Sequence, residues 1–131
     1  MTAETIPQHM EALTFANEVR SALAAIKAEI REDGPHFGPL RVAHLLCLPE
    51  DERPPALGRA RIYDLVKACP RWGRHRVLRL LAPAGVPERK TVGEATARQR
   101  QAVADALDAA VRDRLTRSER MTFERQLRDG G

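Results

Sequence analysis

Cysteine and histidine are scarce in this chain, and their spacing excludes the usual disulfide and metal frameworks. The 131 residues include two cysteines, Cys47 and Cys69, which lie among apolar neighbours without a Cys-x-x-Cys pair. This usage is typical of small buried side chains in a reducing cytosol rather than of a secreted disulfide scaffold. The four histidines show no metal-ligand spacing, so neither a metal site nor a cofactor is expected.

Long apolar runs and alternating apolar patterns are also missing. No stretch approaches the length that spans a membrane, and the N-terminus carries acids rather than a basic leader. We therefore expect a cytoplasmic protein with no membrane partner. No segment alternates with the period of two that marks a strand, so the expected fold class is all-α.

The residue patterns of an enzyme are absent as well. Between Arg53 and Arg100 there are only three acids, too few carboxylates for a two-metal nuclease centre. The chain has no nucleophile–base motif and no glycine-rich nucleotide loop of the usual spacing. The sequence therefore predicts a binding protein without catalytic residues.

An uneven distribution of charge is what the chain does have. The formal net charge of the whole is only +4. From Arg53 to Arg100 there are 12 Lys and Arg against 3 acids, a net charge of +9, whereas the remaining residues hold 10 against 15, a net charge of −5. A basic middle between acidic flanks indicates a defined face for an anionic partner. A merely solvated, arginine-rich helical surface is the alternative.

Helical periodicity and helix-breaking residues divide the chain into three predicted units. Residues 1–35 form a long N-terminal helix with one apolar stripe, which Asp33-Gly34-Pro35 ends. Residues 36–107 begin with a turn over residues 36–39 and a short helix that Pro49 stops, followed by a proline-rich connector over residues 49–58. Residues 108–131 are a C-terminal helical extension that ends in a tail over residues 128–131.

The middle unit contains the predicted binding module, between Leu57 and Gly85. Two short helices, one over about residues 58–69 and one after Gly73, are joined by a bend with basic residues on both sides. This is a helix-two-turn-helix, or helix-hairpin-helix-like, arrangement. A further helix follows from Thr96, because Thr96 and Gln99 have the spacing of a capping box.

Helix starts leave backbone N–H groups unpaired, and arginines beside them make a site for phosphate. Gly73 lets the chain approach a phosphate closely, and the N–H groups of the following helix point at it. Arg71, Arg74 and Arg76 add charge-assisted contacts. The complete set of predicted DNA-binding residues is Arg59, Arg61, Arg71, Gly73, Arg74, Arg76, Arg89 and Lys90.

The bend and the two flanking basic segments have more specific expected roles. Trp72 is expected to plug the space under the bend rather than to stack on a base. Arg59 and Arg61 are two residues apart, so at most one of them contacts DNA if their segment is fully helical. Arg89 and Lys90 are expected to reach the next stretch of backbone or a narrow minor groove.

From about Leu23 to Leu107 the sequence resembles the actinobacterial integration host factor family, which is nucleoid-associated. The matching pieces are Leu57-Gly58-Arg59-Ala60-Arg61-Ile62, then Leu65-Val66-Lys67-Ala68-Cys69-Pro70, an arginine-bearing helix that ends near Gly85-Val86, and a basic loop at Arg89-Lys90. The resemblance implies a long helix plus a helix-two-turn-helix module that binds duplex DNA with little sequence preference. It also implies a role in DNA compaction or recombination and a location in the nucleoid.

The chain departs from the family pattern at two places. The family turn usually has the form Pro-Gly-x-Gly, whereas here Arg71 replaces the first glycine and only Gly73 remains. If that position needs a positive φ, arginine costs free energy there. In the later loop, Thr91 and Gly93 stand where further arginines are common. Both departures bear on affinity more than on fold.

The function expected from the sequence is thus architectural binding of double-stranded DNA through backbone and minor-groove contacts. An RNA-binding helix-two-turn-helix module of the ribosome-associated type is one alternative, because phosphate contacts alone do not distinguish the two nucleic acids. A regulatory factor whose acidic flanking helices dock a protein partner is the other. A monomer is expected, although the sequence does not fix the oligomeric state.

Overall fold

Residues 8–130 are described by a computed structural model, and within them the chain forms five α-helices and no β-strand. The helices are α1 (Gln8–Cys47), α2 (Ile62–Lys67), α3 (Arg74–Leu81), α4 (Ala97–Arg112) and α5 (Arg117–Gly130), with 3₁₀ turns at Glu50–Glu52, Leu57–Arg59 and Ala82–Ala84. The predicted all-α class is confirmed, with its long N-terminal helix, two short helices across a bend and C-terminal helix.

α1 is interrupted at Gly34, whose φ of 90° and ψ of −177° are not helical. The break thus lies where the sequence predicts it. The predicted turn over residues 36–39 is wrong, because helix resumes at once. Pro35 begins the second segment, where a missing N–H costs nothing, and Gly38 has no Cβ to clash with the ring of Pro39.

Gly38 also allows the two segments of α1 to pack closely. A Cβ at this position would lie 2.9 Å from the carbonyl oxygen of Ile30 and 3.3 Å from the sulfur of Cys69. Arg41 on the second segment is ion-paired with Asp33 on the first. Backbone packing and opposite charge therefore both hold the kink.

A hydrophobic core extends from this kink to α4 and positions the two short helices. Its most deeply buried side chains come from all of these elements: Ile30, Val42, Leu46, Leu57, Ile62, Leu65, Val66, Val77, Leu81, Val92, Val103 and Leu107. Cys69 is part of the core, and burial raises the pKa of its thiol to about 12. Such a thiol is a structural side chain rather than a reactive one.

α4 and α5 each begin at a capping box, a pair of polar residues that bond to each other's backbone N–H groups. Thr96 and Gln99 form the predicted capping box, each side chain bonding to the backbone N–H of the other residue. Thr116 and Glu119 repeat the same reciprocal bonds at the start of α5. α5 then continues through the predicted tail to Gly130.

α5 packs against the second segment of α1. The ring centroids of Phe37 and Phe123 are 4.8 Å apart, and Leu127 is buried. In contrast, residues 9–18 of the first segment are all exposed. The well-packed part of the described chain therefore begins near the middle of α1.

We expect Gly38→Ala to lower the free energy of unfolding by about 1 kcal/mol or more. Alanine improves helix propensity by about 1 kcal/mol. The new Cβ, however, would meet the backbone carbonyl of Ile30 at 2.9 Å, and a backbone group cannot move aside cheaply. The measurement is urea denaturation followed by circular dichroism.

The matched control is Gly58→Ala, because the nearest atom to a Cβ added there is the Cα of Gly93 at 3.9 Å, an ordinary van der Waals distance. The control should stay within about 0.5 kcal/mol of the wild type. Equal stability of Gly38→Ala and the wild type would contradict the close packing described at the kink.

Candidate nucleic-acid interface

The segment that precedes α2 is extended rather than helical, which corrects the predicted helix over residues 58–69. Ala60 and Arg61 have φ and ψ near −75° and 136°, and α2 begins only at Ile62. Because extended residues alternate in direction, Ala60 is buried while Arg59 and Arg61 on either side of it are both exposed. The restriction to one DNA contact, which assumed a full helix, therefore does not apply.

Backbone pairing places the second basic loop beside this segment. The N–H groups of Ile62, Val92 and Gly93 donate to the carbonyl oxygens of Lys90, Ala60 and Gly58 at 3.0, 2.8 and 2.9 Å. Arg61 and Thr91 face each other in an isolated antiparallel bridge. Two basic segments some thirty positions apart in sequence thus lie side by side, with Arg89 exposed and Lys90 half-buried.

The same pairing explains why the loop lacks further arginines. A Cβ on Gly93 would lie 2.9 Å from the carbonyl oxygen of Gly58, so no side chain fits there. Thr91 bonds through its backbone N–H and its hydroxyl to the carboxylate of Glu94. These hydrogen bonds, the backbone one first, lower the pKa of Glu94. Thr91 and Gly93 therefore both have structural roles in this loop.

The bend between the two short helices depends on Arg71 rather than on Gly73. Arg71 has a φ of 68°, the left-handed region that costs a residue with a side chain roughly 1–2 kcal/mol. Gly73 has a φ of −79° and a ψ of 168°, which any residue adopts. Neither the turn nor local packing requires glycine at position 73.

The absence of a side chain at Gly73 leaves the start of α3 open. Gly73 is the N-cap of α3, it is exposed, and no side chain accepts a hydrogen bond from the first turn. The first intrahelical bond runs from Val77 to Gly73, so the N–H groups of residues 74–76 have no helical partner. This is the arrangement of donors that binds anions at helix N-termini.

Arg74 already forms an ion pair with an acidic residue of the neighbouring loop. Its guanidinium is ion-paired with Glu88, lies 3.4 Å from the hydroxyl of Tyr63 and sits 5.7 Å from the centroid of that ring. The hydrogen bond to Glu88, followed by that to Tyr63, raises the pKa of Arg74. Arg74 thus links α2, α3 and the loop, and a phosphate would share it with Glu88.

Trp72 is buried under the bend, as the sequence predicts, with 2% of its surface exposed. The guanidinium of Arg76 stacks over its ring at 3.7 Å, a cation–π contact that fixes the arginine. The indole N–H is buried and has no acceptor among the described residues. Trp72 therefore has no free face on which a base could stack.

The predicted residues fall into two groups in space. The first group contains Arg59, Arg61 and Lys90, which lie in the paired segments of residues 58–62 and 90–93, with Arg89 next to them. Arg74 is joined to this group through Glu88 and Tyr63. Arg71 and Arg76 instead line a cleft next to the kink of α1 and the end of α4.

Three further residues contact these groups and were missed in the sequence. His36 and Arg114 complete the lining of the cleft, and the ring of Phe15 on α1 lies 4.8 Å from the guanidinium of Arg59. No local signal marks them, because each is separated from its partner by more than thirty residues of chain.

The described part of the chain holds neither a cluster of metal ligands nor a membrane-spanning helix. Among residues 8–130, no group of three or more His, Cys, Asp and Glu side chains is placed to hold a metal ion. Within the same residues, none of the helices combines the length and the apolar character needed to cross a bilayer.

Replacement of Arg71 by glycine should raise the free energy of unfolding by about 0.5–1 kcal/mol. The strain of the left-handed φ is removed, and the greater entropy of unfolded glycine takes back part of the gain. Arg71→Ala is the matched control, because it removes the guanidinium but keeps a Cβ in the strained conformation. Equal stability of the two variants in urea denaturation would show that the turn is not strained at this residue.

The chain was also compared with known proteins. Protein-family models, curated proteins and solved structures gave no match to it.

Proposed function

We propose that the protein binds double-stranded DNA through its sugar-phosphate backbone, with little preference for sequence. The observation that carries this proposal is the open N-terminus of α3, which bears exposed Arg74 and Arg76 and is joined by the Arg74–Glu88 ion pair to the loop that carries exposed Arg89. Backbone N–H donors, a helix dipole and guanidinium groups are the elements that proteins use on phosphates.

The paired loop supports a contact longer than one phosphate. Arg59 and Arg61 are exposed on one segment, and Arg89 is exposed on the segment hydrogen-bonded to it. Backbone pairing fixes the separations of the positions that carry these arginines, which favours a regular polyanion over a single small anion. The Pro87–Lys90 turn, with its exposed arginine, is the part of this surface suited to a minor groove.

Base-specific recognition has less support. Two of the three arginines of α3, Arg74 and Arg76, lie in its first turn, where backbone donors meet phosphate, and α3 is only eight residues long. Its buried side chains, Val77 and Leu81, anchor it in the core. Contacts of this kind position a protein on a duplex without reading its sequence.

The resemblance to the actinobacterial integration host factor family extends the proposal to a biological role. On that basis the protein is a nucleoid-associated, architectural factor of the cytoplasm that acts in DNA compaction or recombination. The matching residues quoted above are the support for this part of the proposal.

The direct test is competition between nucleic acids in a salt series. A labelled 20-base-pair DNA duplex is titrated with the protein by fluorescence anisotropy, with unlabelled DNA or RNA duplexes of the same length as competitors. DNA duplexes of different sequence should compete equally, and better than RNA. The logarithm of affinity should fall with the logarithm of salt at about −0.9 per phosphate neutralised.

Combined replacement of Arg74 and Arg76 by alanine should flatten the salt slope by about one to two units. Arg117 and Arg125, which are exposed on α5, provide a control double replacement of equal charge. Stronger competition by RNA at equal salt would favour the RNA-binding alternative. An unchanged slope in the first variant would place the contact surface elsewhere.

Gly73→Asp and Gly73→Asn separate anion binding from helix stability. Both side chains cap α3, so each should leave the free energy of unfolding unchanged or raise it by a few tenths of a kcal/mol. Only aspartate places a negative charge where the phosphate is proposed to bind. A repulsion of about 1 kcal/mol corresponds to roughly fivefold weaker binding of DNA. Equal DNA affinities of the two variants would argue against a phosphate at the start of α3.

A further inference from the structure

We propose that the cleft between the kink of α1, the bend and the end of α4 is a discrete binding site for a phosphate group. This α1–α4 cleft has a volume of about 170 Å³ and is lined by Pro35, His36, Arg71, Arg76, Ala110 and Arg114. The lining comes from three segments that the fold brings together, and only two of its residues belong to the predicted DNA-binding set.

The cleft is lined by positive charge that no acidic residue balances. Three guanidinium groups and an imidazole line it, and no carboxylate does. Within residues 8–130, none of these three arginines forms an ion pair, whereas Arg41, Arg74 and Arg112 each do. Like charges that line a concave site repel one another and focus a positive field, which an anion would relieve.

One of the arginines is held in place before any ligand arrives, and a second occupies a strained backbone position. Arg76 is stacked on buried Trp72 at 3.7 Å, which restricts its guanidinium while leaving its N–H edge free to donate. Arg71 is held in a left-handed conformation at the bend. Glycine is the residue that fits such a position without strain, so an arginine there retains a charge at the cleft at the expense of stability.

The size of the cleft restricts the ligand. Pockets for drug-sized molecules are about 300–1,000 Å³, so 170 Å³ is too small for a whole nucleotide and suits a phosphate or a pyrophosphate. Several guanidinium forks exceed what one carboxylate can accept but match the oxygens of a tetrahedral, multiply charged anion. Phosphate is therefore the chemistry that the cleft fits best.

This phosphate has two conceivable sources, a DNA backbone and a small free phosphate compound. Use by DNA rests on the proposed function, because Arg71 and Arg76 would then extend the footprint from the start of α3 toward α4. Binding of a free phosphate does not depend on it. One set of variants distinguishes the two sources.

The test uses the full chain and inorganic pyrophosphate in isothermal titration calorimetry. Arg114→Gln removes a charge from the cleft without touching the predicted DNA-binding residues. Arg112→Gln is the matched control two residues earlier, at the end of α4, since Arg112 is exposed and paired with Asp108 outside the lining. We expect Arg114→Gln to weaken pyrophosphate binding at least fivefold and Arg112→Gln to change it less than twofold.

Absence of pyrophosphate binding by the wild type, or equal binding by both variants, would overturn the proposed site. Circular dichroism confirms that the variants are folded. Arg71→Gly offers a second variant that should be more stable and yet bind pyrophosphate more weakly; undiminished binding by it would also count against the cleft.

The same proteins are then titrated with duplex DNA. If Arg114→Gln weakens DNA binding more than Arg112→Gln does, and pyrophosphate displaces DNA, the site holds a backbone phosphate. If DNA binding is unchanged while pyrophosphate binding is lost, the site holds a free phosphate compound. Both outcomes support the cleft. Failure of the wild type to bind any duplex refutes the proposed function alone.

Discussion

Three backbone hydrogen bonds between residues 58–62 and 90–93 are the constraint on which the basic surface depends. They hold the residues before α2 in an extended conformation, so that two arginines on either side of a buried alanine are both exposed. They also fix a second basic loop alongside. The contact is close enough to demand glycine at position 93, where a Cβ would meet a carbonyl oxygen at 2.9 Å. Loss of this pairing would separate charges that the core alone does not align.

The surface is not simply an accumulation of positive charge. Glu88 holds Arg74, and Asp64 lies 3.8 Å from the side chain of Arg61, so part of the basic charge is neutralised before any partner binds. Exposed pairs of this kind contribute little to stability, and a phosphate can compete for the arginine. Their effect is to moderate affinity. Arg71, Arg76 and Arg114 have no such acidic partners among the described residues, so no carboxylate neutralises the charge of the cleft they line.

Local sequence signals predicted the helices well and the connections poorly. The long N-terminal helix, the break at Gly34 and the capping box at Thr96 each depend on residues close together in sequence, and each is confirmed. The predicted start of α2 was wrong. The N–H of Ile62 donates to the carbonyl oxygen of Lys90, and no local pattern connects these two residues. The immediate restart of α1 after Gly34 brings Gly38 close to Ile30 and Cys69, a packing arrangement that no local pattern shows.

The candidate site shows the same division between local and distant information. The concentration of arginine between residues 53 and 100 was visible in composition, and so was the cost of an arginine at position 71 if φ proved positive. The pairing of Arg74 with Glu88 and the approach of His36 and Arg114 to the bend required the folded chain. Periodicity predicts which residues share one face of a helix, whereas the path of the loops determines which helix faces pack together.

Trp72 is the single tryptophan of the chain, and its burial under Arg76 has a practical consequence. Its emission arises from one known place, shielded from water and in contact with a cation that also lines the cleft. Movement of that guanidinium toward an anion changes the electric field at the indole, whereas loss of the core exposes the ring to solvent. The protein therefore contains an intrinsic optical probe of its own bend, for which no label has to be introduced.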